Sequence, residues 1–119
     1  MSSIVRQKQL WRVSMISEKI IKKAIERLIE VANPQKIYLF GSYARGDARE
    51  QSDLDLLVVE QTIKSQRKEM VYLHDAIRSM CIPVDIIPVS EATFNEWSNV
   101  PGTVIHKAKT EGRLCYEKS

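Results

Sequence analysis

Apolar positions along this chain follow two different periods. Ile16, Ile20, Ala24 and Leu28, flanked by Ile21, Ile25 and Ile29, form a wide stripe at helical spacing. That stripe predicts a helix capped by Ser17 and running to about residue 32, where Asn33-Pro34 stops it. Met70, Val71, Leu73, His74, Ile77 and Met80 recur in the same way and predict a second helix over about 65–80. Between them the period changes. Ile37, Tyr38, Leu39 and Phe40 form a short run of β-branched and aromatic residues that ends abruptly at Gly41. A second strand alternates Leu54 and Leu56 with Asp53 and Asp55, and a third, Val84-Asp85-Ile86-Ile87-Pro88, places Val84 and Ile86 on one side and Asp85 on the other.

The last third has weaker signals. Ser90 is a cap for a short helix through Trp97 that puts Phe94 and Trp97 on one side, and Pro101-Gly102-Thr103 is a turn into a helix over about 104–109, ended by Gly112. Leu114-Cys115-Tyr116 then supplies a short edge strand. The order helix, strand, short helix, strand, helix, strand, helices predicts an α+β fold, an α/β sandwich with a small mixed sheet of three or four strands and helices mainly on one face. Neither G-x-G-x-x-G after the first strand nor G-x-x-x-x-G-K-[ST] occurs, so a dinucleotide-binding fold and a Walker loop are excluded. Residues 14–119 read as one domain. Residues 1–13, polar and basic with Leu10, Trp11 and Val13 interspersed, read as an arm or as a helix that docks on a partner.

The candidate chemistry lies in residues 36–59. Asp53 and Asp55 project from one face of a strand, and two carboxylates about 5 Å apart at an effective dielectric near 20 repel by roughly 3 kcal/mol. A cation offsets that cost, and Mg²⁺, which uses one or two carboxylates together with substrate phosphates, suits such a pair. A strand start whose acids simply face water is the plainer alternative. Gly41 permits unusual torsions and close approach of a ligand, Ser42 can cap the helix that follows, and Arg45 lies about one turn on, where it can reach the same anion. Taken singly, Gly41-Ser42 is an ordinary strand-to-helix turn and Arg45 a solvated residue. Asp85 within an apolar strand asks for a partner, either a metal or a nearby Lys or Arg. His74 reads as a residue at the core margin, and His106 as solvent-facing.

Taken together, GSYARGDAREQSDLDLLVV resembles the signature G-S-x-A-R-G…S-D-x-D-L of the minimal nucleotidyltransferases, small members of the DNA polymerase β-like superfamily. Both spaced clusters match, and the likeness extends more weakly from near Glu18 to the closing EGRLCYE. The resemblance implies a nucleotidyltransferase fold in which Asp53, Asp55 and Asp85 are the catalytic and metal-holding acids. Gly41, Ser42 and Arg45 would bind a nucleoside triphosphate, ATP above all. Two Mg²⁺ ions, or Mn²⁺ in their place, would serve an in-line phosphoryl transfer. The resemblance further implies an antitoxin role beside a small helical HEPN toxin, with transfer of AMP to a tyrosine of that toxin, in a homo- or hetero-oligomer. Two alternatives remain open: an antitoxin that acts by binding alone, and a nucleotidyltransferase acting on small molecules of the aminoglycoside type.

Composition narrows the partners. The chain has 18 basic and 15 acidic residues, a formal charge of +3 that is too mild to argue for direct nucleic-acid binding. Lys19, Lys22, Lys23 and Arg27 are most simply a solvated helix face. Cys81 and Cys115 lack metal-ligand spacing and read as reduced thiols. No apolar run approaches a membrane span and no signal-like segment opens the chain, so a cytoplasmic location without membrane attachment is expected.

Overall fold

The computed structural model describes residues 15–119. The reading of residues 1–13 as an arm lies outside them. The helical stripe becomes α1 (Glu18–Ala32), with the Ser17 hydroxyl accepting from the Ile20 N–H at 3.2 Å and Asn33 closing the helix in a left-handed conformation. Its buried face is Ile21, Ala24, Ile25 and Leu28. After β1 (Lys36–Phe40) come a four-residue helix α2 (Ser42–Arg45) and β2 (Leu54–Glu60). Then follow α3 (Gln66–Ile77), β3 (Val84–Ser90), α4 (Glu91–Trp97), α5 (Val104–Glu111) and β4 (Arg113–Glu117).

Ser65, Ser90 and Thr103 each cap the helix that follows by accepting a backbone N–H three residues on. The helix expected to reach Met80 ends at Ile77. The chain continues as a 3₁₀ turn, Arg78–Met80, and Cys81 takes a positive φ of 53°. Pro83 favours extended backbone at Ile82, so the chain must leave the helix early to enter β3.

The four strands lie in the order β3-β2-β1-β4. β1 is antiparallel to both β2 and β4, whereas β2 and β3 are parallel and joined by the α3 crossover. The mixed sheet is therefore sandwiched, and alternation along β2 assigns each side chain to a layer. Leu54, Leu56 and Val58 join Ile37, Leu39 and Ile86 beneath α1 and α3. Leu57 and Val59 join Tyr38, Phe40 and Val89 beneath α4 and α5. The two longer helices share the first face, as the pattern predicted, and the second is covered by Phe94, Ile105 and Ala108 from the two short ones. Phe94 stacks on Tyr38 at 5.6 Å between ring centroids, while Trp97, expected on the same side, stays 42% exposed.

Buried on both faces, β2 has the near-continuous apolar run of a central strand. Truncating its fully buried Leu56 to Ala would cost about 2–5 kcal/mol. Pro88, which cannot donate to a ladder, sits on the edge strand β3. Among the described residues no helix is long and apolar enough to cross a membrane.

Candidate active site

The site forms where β1 ends and β2 and β3 begin. Phe40, the last residue of β1, pairs with Asp55. Gly41 follows at φ 73°, ψ −154°, a conformation that side-chain-bearing residues avoid. A Cβ on Gly41 would lie 2.1 Å from Asp55 Oδ2 and 3.1 Å from its Cγ. The missing side chain is therefore what gives the carboxylate its place.

Gly41 also does what Ser42 was expected to do. It occupies the cap position of α2, and its carbonyl accepts the N–H groups of Ala44 and Arg45, each at 3.1 Å. Ser42 is instead the first helical residue, and its hydroxyl has no partner among the described residues. Gly46, at φ 85°, closes the turn through its N–H to the Ser42 carbonyl at 2.9 Å. Arg45 pairs with Asp47, Nε to Oδ2 at 3.3 Å, with its side chain 44% exposed, and its charge still reaches Asp55.

Asp55 and Asp85 are direct partners in the parallel register of β2 and β3. Neighbouring strands lie about 4.8 Å apart, and these two side chains leave the same face, the one lined further along by Leu57 and Val89. Burial pushes the Asp55 carboxyl above the usual carboxylate range. Repulsion from Asp85 and then from Asp53 adds to this, while Arg45 and Lys107 oppose it.

Two expectations change here. Asp53 precedes β2 by one residue instead of lying within it, and Asp85 acts on Asp55 more strongly than Asp53 does. Asp85, read as an acid inside an apolar strand, is solvent-exposed near the strand's open end. Its ionised form therefore needs no buried partner, and the argument from desolvation does not apply to it.

The donor set suits a hard cation. Among the described residues no three His, Cys, Asp or Glu side chains converge closely enough to enclose a metal ion by themselves. Mg²⁺ does not require such a cage, because it keeps waters and takes substrate phosphates beside one or two carboxylates. The electrostatically opposed Asp55–Asp85 pair meets that need.

Sequence reasoning missed two charged groups. Lys107, on α5, acts on Asp55 although the two are far apart in the chain, and no local spacing signals this. Glu60, at the other end of β2, is 8% exposed, although it ends the apolar run and opens a polar stretch, where no local signal marks burial. His74 Nδ1 lies 2.8 Å from the Met70 carbonyl within its own helix, and half-buried His106 flanks Lys107 on α5. Neither histidine joins the carboxylates. A depression of about 620 Å³ between α1 and the start of β4, lined by Ile21, Ile25, Ile29 and Leu114, is apolar and contains none of the three aspartates.

Comparison with known proteins points the same way. The model of the polymerase beta nucleotidyltransferase family matches residues 18–119. A chain of Methanocaldococcus jannaschii that bears the name of a candidate protein adenylyltransferase is 32% identical over an aligned length of 108, with 86% of this chain and 100% of that one covered. The crystal structure of a candidate nucleotidyltransferase from Sulfolobus solfataricus superposes with a TM-score of 0.61 at 25% identity, covering 84% of this chain and 79% of that chain. A crystal structure of a toxin–antitoxin with AMP-PNP gives a TM-score of 0.58 at 20% identity over 82% of this chain and 73% of that chain, a likeness of fold.

Proposed function

We propose a specific reaction for this chain, which belongs to the polymerase beta nucleotidyltransferase family: transfer of AMP from ATP to a hydroxyl group of a partner protein. The observation that carries the proposal is the direct pairing of Asp55 with Asp85 beside the Gly41 corner. Asp53, Asp55 and Asp85 would hold two Mg²⁺ ions, with Mn²⁺ able to replace them, and the ions supply charge neutralisation at the attacking and departing oxygens.

Each protein group then has a defined task. The Gly41–Ser42 corner grips phosphate oxygens through its backbone N–H groups and the Ser42 hydroxyl, and Arg45 adds charge to the same grip. Exposed Asp85 accepts the proton of the incoming hydroxyl. The acceptor oxygen bonds to the α-phosphorus, the bond from that phosphorus to the bridging oxygen breaks, and pyrophosphate departs with the electron pair.

For the acceptor we take a HEPN-type toxin and a tyrosine on it, a reading supported by the motif, the adenylyltransferase name of the archaeal relative and the toxin–antitoxin neighbour. The chain would then serve as the antitoxin, its partner completing the site in a hetero-oligomer. The test is to mix the chain with the product of the adjacent reading frame, Mg²⁺ and α-labelled ATP. Label on that product is expected, and its absence while the two proteins bind each other would defeat the transfer reading.

A further inference from the structure

The site has a third wall that the motif does not contain. The end of α5 is pressed against the tip of β1: a Cβ on Gly112 would lie 2.6 Å from the Leu39 carbonyl oxygen and 3.1 Å from the Phe40 Cβ. Ile105 and Ala108 of the same helix pack in the layer that contains Phe40, and Phe40 pairs with Asp55. Lys107, the residue before Ala108, is thereby held at the carboxylate end of the sheet.

Two cations act on Asp55, Arg45 from α2 and Lys107 from α5, and they differ in commitment. Arg45 is engaged with Asp47. Lys107 is solvent-exposed, and while its backbone N–H bonds the Thr103 carbonyl at 3.0 Å, its ammonium forms no hydrogen bond or ion pair among the described residues, not even with Glu111 one turn along α5. Beside it lies a depression of about 450 Å³ lined by Thr103, Val104, His106, Lys107 and Glu111. An uncommitted ammonium next to open space and a cluster of aspartates is placed to meet an anion larger than a single carboxylate. A lysine serves such an anion as a point charge.

We propose that Lys107 binds the β- and γ-phosphates of the nucleotide and stays with them as pyrophosphate departs. The inference rests on the nucleotide-transfer reading and adds to it a residue specific for the triphosphate tail. When the α-phosphorus–oxygen bond breaks, negative charge gathers on the bridging oxygen, and an ammonium on that side lowers its energy without taking a proton.

The test is calorimetric titration of the full chain with ATP, inorganic pyrophosphate and AMP, each with Mg²⁺, in wild type, Lys107→Met, Lys107→Arg and Lys109→Met. Lys109 is the control, since its Nζ bonds Asn99 Oδ1 at 3.2 Å. Lys107→Met should lose about tenfold or more in affinity for ATP and pyrophosphate but less than about twofold for AMP. Lys107→Arg should recover most of the loss, and Lys109→Met should resemble wild type. Equal losses for ATP and AMP, or the same loss in Lys109→Met, would overturn the assignment. So would unchanged ATP affinity in Lys107→Met alongside a loss in Asp55→Asn, and that outcome would leave the carboxylate site standing. A wild-type chain that binds no ATP would overturn both readings.

Discussion

Strand β2 carries an acid near each end, and the two ends have opposite characters. Asp55 is the second residue of the strand and Glu60 the last, and both carboxyls are pushed above their ordinary range, with burial as the first cause in each case. What differs is the company they keep. Asp55 faces two further aspartates, is attended by Arg45 and Lys107, and stands beside a glycine corner open to ligands. Glu60 is 8% exposed, its Oε2 has no hydrogen-bond partner among the described residues, and what acts on it is Glu69 from α3, which hydrogen-bonds to its protonated form and repels its charged one. Its pKa is raised to about 8, so at neutral pH it sits in the fold as a neutral acid. A perturbed carboxyl therefore does not mark a working site by itself. Access and attending cations separate the two ends, since they let a divalent ion and a phosphate replace water at one and leave only a shared proton at the other.

The sharpest way to break the comparison is to neutralise the Asp55 end. Asp53→Asn with Asp55→Asn should cut transfer by more than about a hundredfold, because phosphoryl transfer relies on positioned charge. The same double variant should melt no lower than wild type in metal-free buffer, and a gain of about 1 kcal/mol in relieved repulsion would raise the melting temperature by roughly 4–8 °C. Mg²⁺ with ATP should stabilise the wild type and leave the variant unmoved. A variant that still neutralises the proposed toxin partner without transferring label would show that the chain acts by binding. Equal ligand-induced shifts in both proteins would remove the acids from the site.

A smaller effect is expected from the corner that seats Asp55. In Gly41→Ala the added methyl meets Asp55 Oδ2, and φ 73° is itself strained for alanine. The cost should be about 2–3 kcal/mol of stability. A carboxylate displaced by about 1 Å should in addition lose roughly a hundredfold in transfer rate. Urea unfolding and initial rates of labelling separate the two effects. A Gly41→Ala variant with normal stability and rate would mean that the corner flexes and that Asp55 is not positioned by it.

The Asp55 end was far more legible in the sequence than the Glu60 end, for physical reasons. Period-2 alternation around Leu54 and Leu56 places Asp53 and Asp55 on one face whatever the rest of the fold does, and a glycine after an apolar run marks a turn. Two helices were legible through their caps, Ser17 and Ser90, since a cap acts within a few residues, whereas the helices that Ser65 and Thr103 cap were read from apolar spacing and from the Pro101-Gly102-Thr103 turn. Register across strands was not. That Asp55 stands opposite Asp85 and not merely near it depends on the length of the α3 crossover, and that Lys107 reaches Asp55 depends on α5 packing back over β1. For Asp53, alternation could not say where ladder pairing begins, which is at Leu54, one residue after it. Glu60 ends an apolar run, where an acid more often marks the return to solvent. Only the position of α3, which sets Glu69 against it, reveals that it is covered.

That burial has a pH signature that sharpens the contrast between the two ends. Between about 4.5 and 8 the folded chain keeps a proton on Glu60 that the unfolded chain has released. Stability should therefore fall as pH rises through that window and stop falling above it, by on the order of a few kcal/mol at most. Glu60→Gln keeps the shape of the neutral acid and cannot ionise, so its stability should lack that slope and exceed that of wild type by about 1–2 kcal/mol near pH 9. Denaturant titrations at intervals of pH would show it. The partner residue then divides burial from repulsion. Glu69→Gln removes the like charge and leaves Glu60 covered, so the fall in stability should shift to lower pH without returning to the range of an exposed glutamate, because burial is the larger cause. If Glu69→Gln abolished the slope altogether, repulsion would outweigh burial at this end, and the two acids of β2 would differ in the main cause of their shifts as well as in the cations that attend them.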